Sequence, residues 1–342
     1  MTRTWTVSSL SLSLGAALVA GGLAACQPAT EDDAESFRNS TPREETVAMT
    51  VPQASSGQKL TAVTVETHES ALRGDVSGFY KLTRDVSGVV NGAGVVVLAI
   101  MKAVVLHRPT TLTADSAVWG PWNGGPLDPL TYRVTVKKAG GTSYDYLLEA
   151  HAKADANAAF VVLLTGTHTP TLGTNGRPLE GFGKGTFTLD WDARATLPAP
   201  DDNVGKVTYV YSRESAAAVL SVTAQFRHVK DDDRPGQVVD VDYVFSATPG
   251  AGGSMEFVRN VPAAMNTQGN RWAVKSRWAE SGAGRTDVAA TGGALPAGGA
   301  TASECWNTSF ASVFLSASWA PAAGWGDENA DCAFKPAEYS KL

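Results

Sequence analysis

The sequence predicts a mainly β protein: a large antiparallel meander of about eleven strands, curled into a half-open or closed barrel, with one apolar helix packed against it and a disulfide-stapled C-terminal cap. Three observations lead there. After Pro109, apolar and polar residues alternate with a period of two, in runs separated by short connections rich in Gly, Asn and Asp. One earlier stretch, Val86 to Leu106, spaces its apolar residues as a helix does. Two cysteines, Cys305 and Cys332, stand near the C-terminal end.

The chain opens with a segment of a different kind. Arg3 is the only charge in Met1 to Trp5, and Leu10 to Ala25 is uncharged and built from Leu, Ala, Gly, Val and Ser. A short positive region, an apolar region and small residues before a cleavage point are the parts of a secretory signal. The run is shorter than the ~20 apolar residues of a permanent membrane helix and is broken by glycine. It ends in Leu23-Ala24-Ala25-Cys26, the form of a lipobox. On these residues the N-terminus resembles that of a bacterial lipoprotein, which implies removal of residues 1–25 and lipid attachment at Cys26. Gln27, standing where an Asp would retain such a protein at the inner membrane, implies the outer membrane, with the domain facing the periplasm or the surface. One acyl chain binds a bilayer only marginally, whereas several anchor it stably. The terminal Ser340-Lys341-Leu342 has the form of a peroxisomal address, which has no meaning in such a chain.

Residues 26–59 are polar, with Glu31-Asp32-Asp33 and Arg43-Glu44-Glu45, and read as a flexible tether. Leu60 to Thr67 alternates and is a candidate first strand. The helix is expected near 78–107: Val86, Val89, Val90, Ala93, Val97, Ile100, Met101 and Val104 share one broad face. Asp75 or Ser77 suits its start, and His107-Arg108-Pro109 its end. A second membrane helix is the competing reading. Gly88, Asn91, Gly92, Gly94 and Lys102 count against it.

The β domain, 60–300, then takes shape strand by strand. Leu112 to Trp119 is followed by Thr131 to Lys137, where Tyr132, Val134 and Val136 oppose Arg133, Thr135 and Lys137. Ala139-Gly140-Gly141-Thr142 is a hairpin signal leading into Tyr144 to Ala150. Further strands are expected at Ala159 to Thr167, Gly183 to Trp191, Gly205 to Arg213, Ala217 to His228, Gln237 to Ala247, Ser254 to Val261, Asn270 to Glu280 and Arg285 to Ala290. Short connections favour antiparallel neighbours, because parallel crossovers need a dozen or more residues. One face collects Phe187, Leu189, Tyr209, Tyr211, Phe226, Phe245, Val274 and Trp278; the other collects Asp190, Lys206, Arg227, Asp242, Lys275 and Arg277. A dry face of that size is covered by closing a barrel or by wrapping the helix. A membrane barrel also alternates, but the chain lacks an aromatic C-terminal strand.

Residues 301–342 read as an irregular cap. With Cys26 lipidated, Cys305 and Cys332 remain as an even pair in an oxidising compartment and are expected to form a disulfide. Trp306, Trp319 and Trp325 either pack that cap onto the sheet or form an exposed platform for a ligand or glycan.

Charge and motifs bound the chemistry. Lys plus Arg is 28 and Asp plus Glu is 34, a net −6 without a basic stripe, which argues against a nucleic-acid partner. His68, His107, His151, His168 and His228 are scattered and form no metal-ligand spacing, so neither a metal nor another cofactor is expected. Asp231-Asp232-Asp233 and Asp190-Trp191-Asp192 lack the alternation of a calcium loop and read as turns. No G-x-S-x-G elbow is present, and Gly181-Phe182-Gly183-Lys184-Gly185 runs into a strand, unlike a phosphate loop, and reads as a hairpin or bulge.

Glu35-Ser36-Phe37-Arg38-Asn39, Ala117-Val118-Trp119-Gly120-Pro121, Lys275-Ser276-Arg277-Trp278, Gly282-Ala283-Gly284-Arg285 and Ala302-Ser303-Glu304-Cys305-Trp306 resemble segments of a family of uncharacterised lipoproteins from large Gram-negative genomes. That resemblance brings no activity with it. In architecture alone, an antiparallel sheet with an apolar helix is similar to the half-open barrels of the Lol lipoprotein carriers, and architecture does not imply function. The expectation is a non-catalytic, lipid-anchored envelope lipoprotein binding a hydrophobic ligand or an envelope partner. A structural or surface-interaction lipoprotein with a filled core, and a hydrolase built on His151, His168 or His228, are the alternatives.

Overall fold

A computed structural model describes residues 30–53, 72–231, 234–261, 269–293 and 295–342. The lipobox with Cys26, the candidate strand at Leu60 to Thr67 and His68 lie outside the described residues. Fourteen strands form one sheet in which each strand pairs, antiparallel, with its neighbours in the chain. They are β1 (Thr111–Leu112), β2 (Ser116–Asn123), β3 (Leu130–Gly140), β4 (Ser143–Ala152), β5 (Val161–Leu172), β6 (Pro178–Asp190), β7 (Lys206–Arg213), β8 (Leu220–Lys230), β9 (Val238–Thr248), β10 (Gly252–Val261), β11 (Asn270–Ala279), β12 (Gly284–Gly292), β13 (Ala300–Trp306) and β14 (Ser312–Ala317). The first and last strands do not meet, so the sheet is an open meander rather than a closed barrel.

Two-residue periodicity accounts for the strands, and the turns follow from side-chain chemistry. Gly140 (φ +102°) and Gly141 (φ +56°) supply the left-handed backbone that the β3–β4 hairpin needs. The expected strand Leu112 to Trp119 divides into β1 and β2 because Thr113 and Asp115-Ser116 close a turn, with the Thr113 N–H donating to the Ser116 carbonyl.

The helices are α1 (Glu31–Asn39), α2 (Glu44–Val47), α3 (Gly78–Val105), α4 (Trp191–Arg194) and α5 (Glu328–Asp331). The 28-residue α3 begins at Ser77, whose hydroxyl accepts from the Tyr80 N–H. A second cap comes from the sheet: Glu304 on β13 accepts from the Phe79 N–H at 2.9 Å, a carboxylate at the positive end of the helix. Further along, the Thr83 and Ser276 hydroxyls meet at 2.5 Å, and the Tyr209 hydroxyl donates to the Val90 carbonyl at 2.7 Å. Beyond its C-terminal end, the Trp119 indole donates to the His107 carbonyl. α3 therefore crosses the strands, from β13 at one end to β2 at the other. Those strands are eleven steps apart, an arc of roughly 53 Å at ~4.8 Å per step. The helix spans about 42 Å. An arc longer than its chord is a concave sheet, and α3 lies in the concavity. Trp119, Tyr80, Tyr209, Phe187, Phe245, Phe257 and Trp306 fill the space between them.

Two boundaries differ from the sequence reading. Residues 30–53, expected in the flexible tether of 26–59, are folded: Ala34 and Phe37 of α1 and Val47, Met49 and Val51 are buried, and Asn91 of α3 bonds both the N–H and the carbonyl of Met49. A few apolar anchors suffice because the sheet is already there to receive them. The cap of 301–342, expected to be irregular, begins with β13 and β14, which, with the division into β1 and β2, bring the meander from about eleven strands to fourteen. Only after β14 is the chain irregular, apart from a short turn at Pro321–Ala323 and α5.

Candidate functional site

Three places concentrate chemistry: a charged cluster on the convex face, a buried ring cluster in the concavity, and the uncovered side of α3.

The convex cluster follows from strand register. Ser276, Thr286 and Glu304 are partners on β11, β12 and β13 and point inward toward α3. Their neighbours Lys275, Arg277, Arg285, Asp287, Ser303 and Cys305 therefore point outward. Arg285 is 1% exposed and Asp287 fully buried, because the C-terminal tail lies over them. Asp287 accepts from Arg285 Nε at 2.7 Å, the Ser303 hydroxyl at 2.6 Å, Arg277 at 3.1 Å and the Glu338 N–H at 3.0 Å. The tail completes both guanidiniums: Arg285 also reaches Glu328 and the Phe334 carbonyl, and Arg277 reaches Glu338 and the Pro336 carbonyl. Burial draws the Arg285 guanidinium down, and its hydrogen bonds to Asp287 and Glu328 outweigh that, leaving it raised. Lys275, bonded to Glu338 first and aided by the nearby Arg277, holds that carboxyl below its usual range. The expected disulfide is present: Cys305 on β13 joins Cys332 just after α5, with Cα atoms 5.4 Å apart. Glu328, the Phe334 and Pro336 carbonyls and Glu338 all come from the tail, while Arg277 Nε is buried without a partner, so the arrangement fastens the tail.

The buried ring cluster comprises His168 on β5, Tyr211 on β7 and Tyr146 on β4. His168 Nδ1 and the Tyr211 hydroxyl are 2.9 Å apart, and the His168 ring, 1% exposed, leaves Nε2 without a hydrogen bond. The backbone at Phe182 lies on this side and acts against the burial, without reaching bonding geometry. Desolvation pulls the imidazole down to about 4 and raises both tyrosines. Glycines make the room: a Cβ at Gly183 would sit 2.7 Å from the His168 ring, one at Gly185 2.7 Å from the Tyr211 hydroxyl, and one at Gly166 2.5 Å from the Tyr146 ring. The Gly181-to-Gly185 stretch lies inside β6, and the expected bulge is there: pairing with β5 jumps from Pro170–Gly183 to Leu172–Pro178, leaving Leu179 to Phe182 out of register, and its glycines admit rings.

The remaining histidines do not assemble with these. His107 accepts from the Trp122 indole, His151 stacks edge-on to Phe160, and His228 sits at φ +57° with its N–H on Asp240. Among the described residues, no histidine ring is bonded to a serine or a carboxylate, and no three His, Cys, Asp or Glu residues cluster as metal ligands. Of the acidic turns, Asp190 caps α4 and pairs with Lys206, Asp192 accepts from the Gly205 N–H, and Asp231 pairs with Arg234; Asp232 and Asp233 lie outside the described residues.

The three tryptophans are not one platform. Trp306 is buried against Tyr80 and donates to the Gly282 carbonyl. Trp325 pairs its backbone with Leu315, closing the free edge of β14. Trp319 is 53% exposed.

No family model, curated protein or solved structure matches this chain. Geometry alone therefore carries the functional reading.

The third feature is α3 itself. It is long and apolar enough, by length and composition, to cross a bilayer, and only about a third of its most apolar stretch is buried. Its uncovered side carries Val89 (55% exposed), Gly92, Val96 (59% exposed) and Ala99. Val89, expected on the covered face, is instead among the most exposed residues of α3: the buried side is turned toward Ser87, Val90, Gly94, Leu98, Met101 and Val105, and the side opposite is apolar as well. The absence of charge from Val86 to Met101 is the signal that could have revealed it. Between α1 and the β5–β6 connection lies a polar cleft of about 250 Å³ lined by Glu35, Asn39, Arg177 and Glu180, smaller than the ~300 Å³ at which ligand pockets begin.

Proposed function

We propose that this chain is an outer-membrane lipoprotein, anchored through Cys26, whose sheet domain is a non-catalytic body with a filled core that acts through its surface. The observation that carries this reading is the position of α3. In a half-open carrier barrel the concavity holds the cargo; here α3 and the aromatic residues beneath it occupy that space. The expected apolar ligand then has no place inside the sheet without expelling the helix, and recognition passes to the outside of the domain.

Two experiments test the two halves of the proposal. The Cys26→Ser protein, isolated from cells without detergent and examined by native mass spectrometry, is expected to carry no apolar ligand. A stoichiometric co-purifying lipid would overturn the filled-core reading. For the anchor, Cys26→Ser should abolish incorporation of labelled palmitate and release the protein from the membrane fraction. Continued firm attachment would contradict it.

A further inference from the structure

We propose that the uncovered apolar face of α3, from Lys81 to Lys102, is a membrane-contact surface that lies along the anionic headgroups of the bilayer to which Cys26 is attached. The inference rests on the anchor reading for its geometry, and on α3 for its chemistry.

At 100° per residue, Lys81, Gly88, Val89, Gly92, Val95, Val96, Ala99 and Lys102 fall on one side of the helix. That side faces away from the sheet: a Cβ added at Gly92 would meet nothing within 4 Å. It is apolar for its whole middle length, and its two ends are lysines about 32 Å apart along the axis. Neither lysine has a carboxylate partner among the described residues, and Asp85, the one acid on this side, is bound by Arg84 at 3.2 Å. An apolar stripe ending in free cations, without free acid, is complementary to a surface that is apolar beneath and negative at its face. Interfacial attachment likewise draws on buried apolar area together with attraction of Lys or Arg to anionic lipid; here the sheet takes the place of the helix's own polar face.

The same residues argue against α3 crossing the bilayer. Its other side is fixed to the sheet by the Tyr209–Val90, Asn91–Met49 and Thr83–Ser276 hydrogen bonds, so lipid can reach only one face. The tether supports the orientation. From Cys26 to Thr30 is four residues, at most about 14 Å of extended chain. Glu31, next to Thr30, pairs with Arg108 at 3.2 Å, just beyond the C-terminal end of α3. A lipid on Cys26 thus holds that end of the helix near the headgroups, and Leu106, exposed there, extends the apolar line.

The test uses the full chain, with the native cysteines lipidated or in the disulfide, and one added thiol. Val96→Cys and Leu127→Cys are each labelled with an environment-sensitive fluorophore; Leu127 is exposed on the β2–β3 loop. Each is mixed with phosphatidylcholine vesicles with and without phosphatidylglycerol, carrying a shallow nitroxide quencher. The expected result is a blue shift and loss of most emission at 96, little change at 127, and a stronger effect with the anionic lipid. Equal, water-like emission at both positions, or no association with anionic vesicles, overturns the proposal. So does shielding at 96 without vesicles that grows with protein concentration, which would make a second copy the occupant. Unchanged melting temperatures for the labelled proteins confirm that the fold is intact. If 96 enters the headgroup region while Cys26 carries no lipid, the surface stands and the anchor reading falls.

Discussion

The His168 ring offers a prediction that can be followed from burial to a titration. Its imidazole is bonded only to the Tyr211 hydroxyl, and desolvation pulls its proton affinity from 6.5 down to about 4. In the unfolded chain the same ring takes up its proton near 6.5. Below that pH the unfolded state binds more protons than the native state, so stability falls as pH falls, until the native ring protonates near 4. The full linkage, at about 1.4 kcal/mol for each pH unit separating the two states, is about 3 kcal/mol. About 2 kcal/mol of it should be lost between pH 7 and pH 5. The carboxyls held low in the native state, Asp190 and Glu338 among them, add their own losses only below about pH 5, so the interval above it isolates the histidine. Urea unfolding at closely spaced pH values, for the parent and for His168→Phe, measures the effect. The variant should be offset by the lost Tyr211 bond and should lack this slope between pH 7 and 5. An equal slope in both proteins, or an imidazole that titrates near 6.5 by NMR in the native state, would refute the reasoning.

Three further outcomes follow from packing and charge. Cys305→Ala should lower stability by about 3 to 4 kcal/mol, the loop-entropy value for a closure of this length, and should change mobility between reducing and non-reducing gels in comparison with the parent. Asp287→Ala removes the carboxylate shared by Arg277 and Arg285. Stranding two buried guanidiniums should cost about 3 to 5 kcal/mol, read by denaturant unfolding, and limited proteolysis should show the tail after Trp325 cleaved first. Gly284→Ala places a Cβ 2.3 Å from the Trp306 ring. The displaced indole should cost at least about 1 to 3 kcal/mol and alter near-ultraviolet circular dichroism.

The sheet is legible in the sequence where apolar and polar side chains alternate, even where, as on β12, the polar face is covered by the tail. β3 to β12 announce themselves because each pairs a dry face with a polar one, and α3 because its period changes. β13 is not legible in this way. It is buried on both sides, between α3 and the tail, and its residues are Ala, Thr, Ser, Glu and Cys before Trp306; Glu304 points into the core because it caps α3. No alternation survives such a role. α1 is obscured by its composition, since only Ala34 and Phe37 are buried in a run of acids. Its start is nevertheless written in Thr30-Glu31-Asp32-Asp33: Thr30 and Asp33 bond each other reciprocally as a capping box. The charged cluster is visible only as separate motifs. Lys275-Ser276-Arg277 and Gly284-Arg285-Thr286-Asp287 meet because register aligns them, and nothing local says that Glu328 and Glu338 will cover them.

The α3 hydrogen bonds also set an order of events. The helix is made early in the chain, yet the groups that hold its N-terminal half, Ser276 and Glu304, come 193 and 225 residues later than their partners. Hairpins of the meander can close one after another as the chain emerges, since every strand meets its sequence neighbour. α3 cannot be fully seated until almost the last strand is complete. Through that interval it presents apolar surface on all sides, which makes the nascent chain a client for a holding chaperone and makes truncation before β13 more damaging than the loss of a single edge strand suggests.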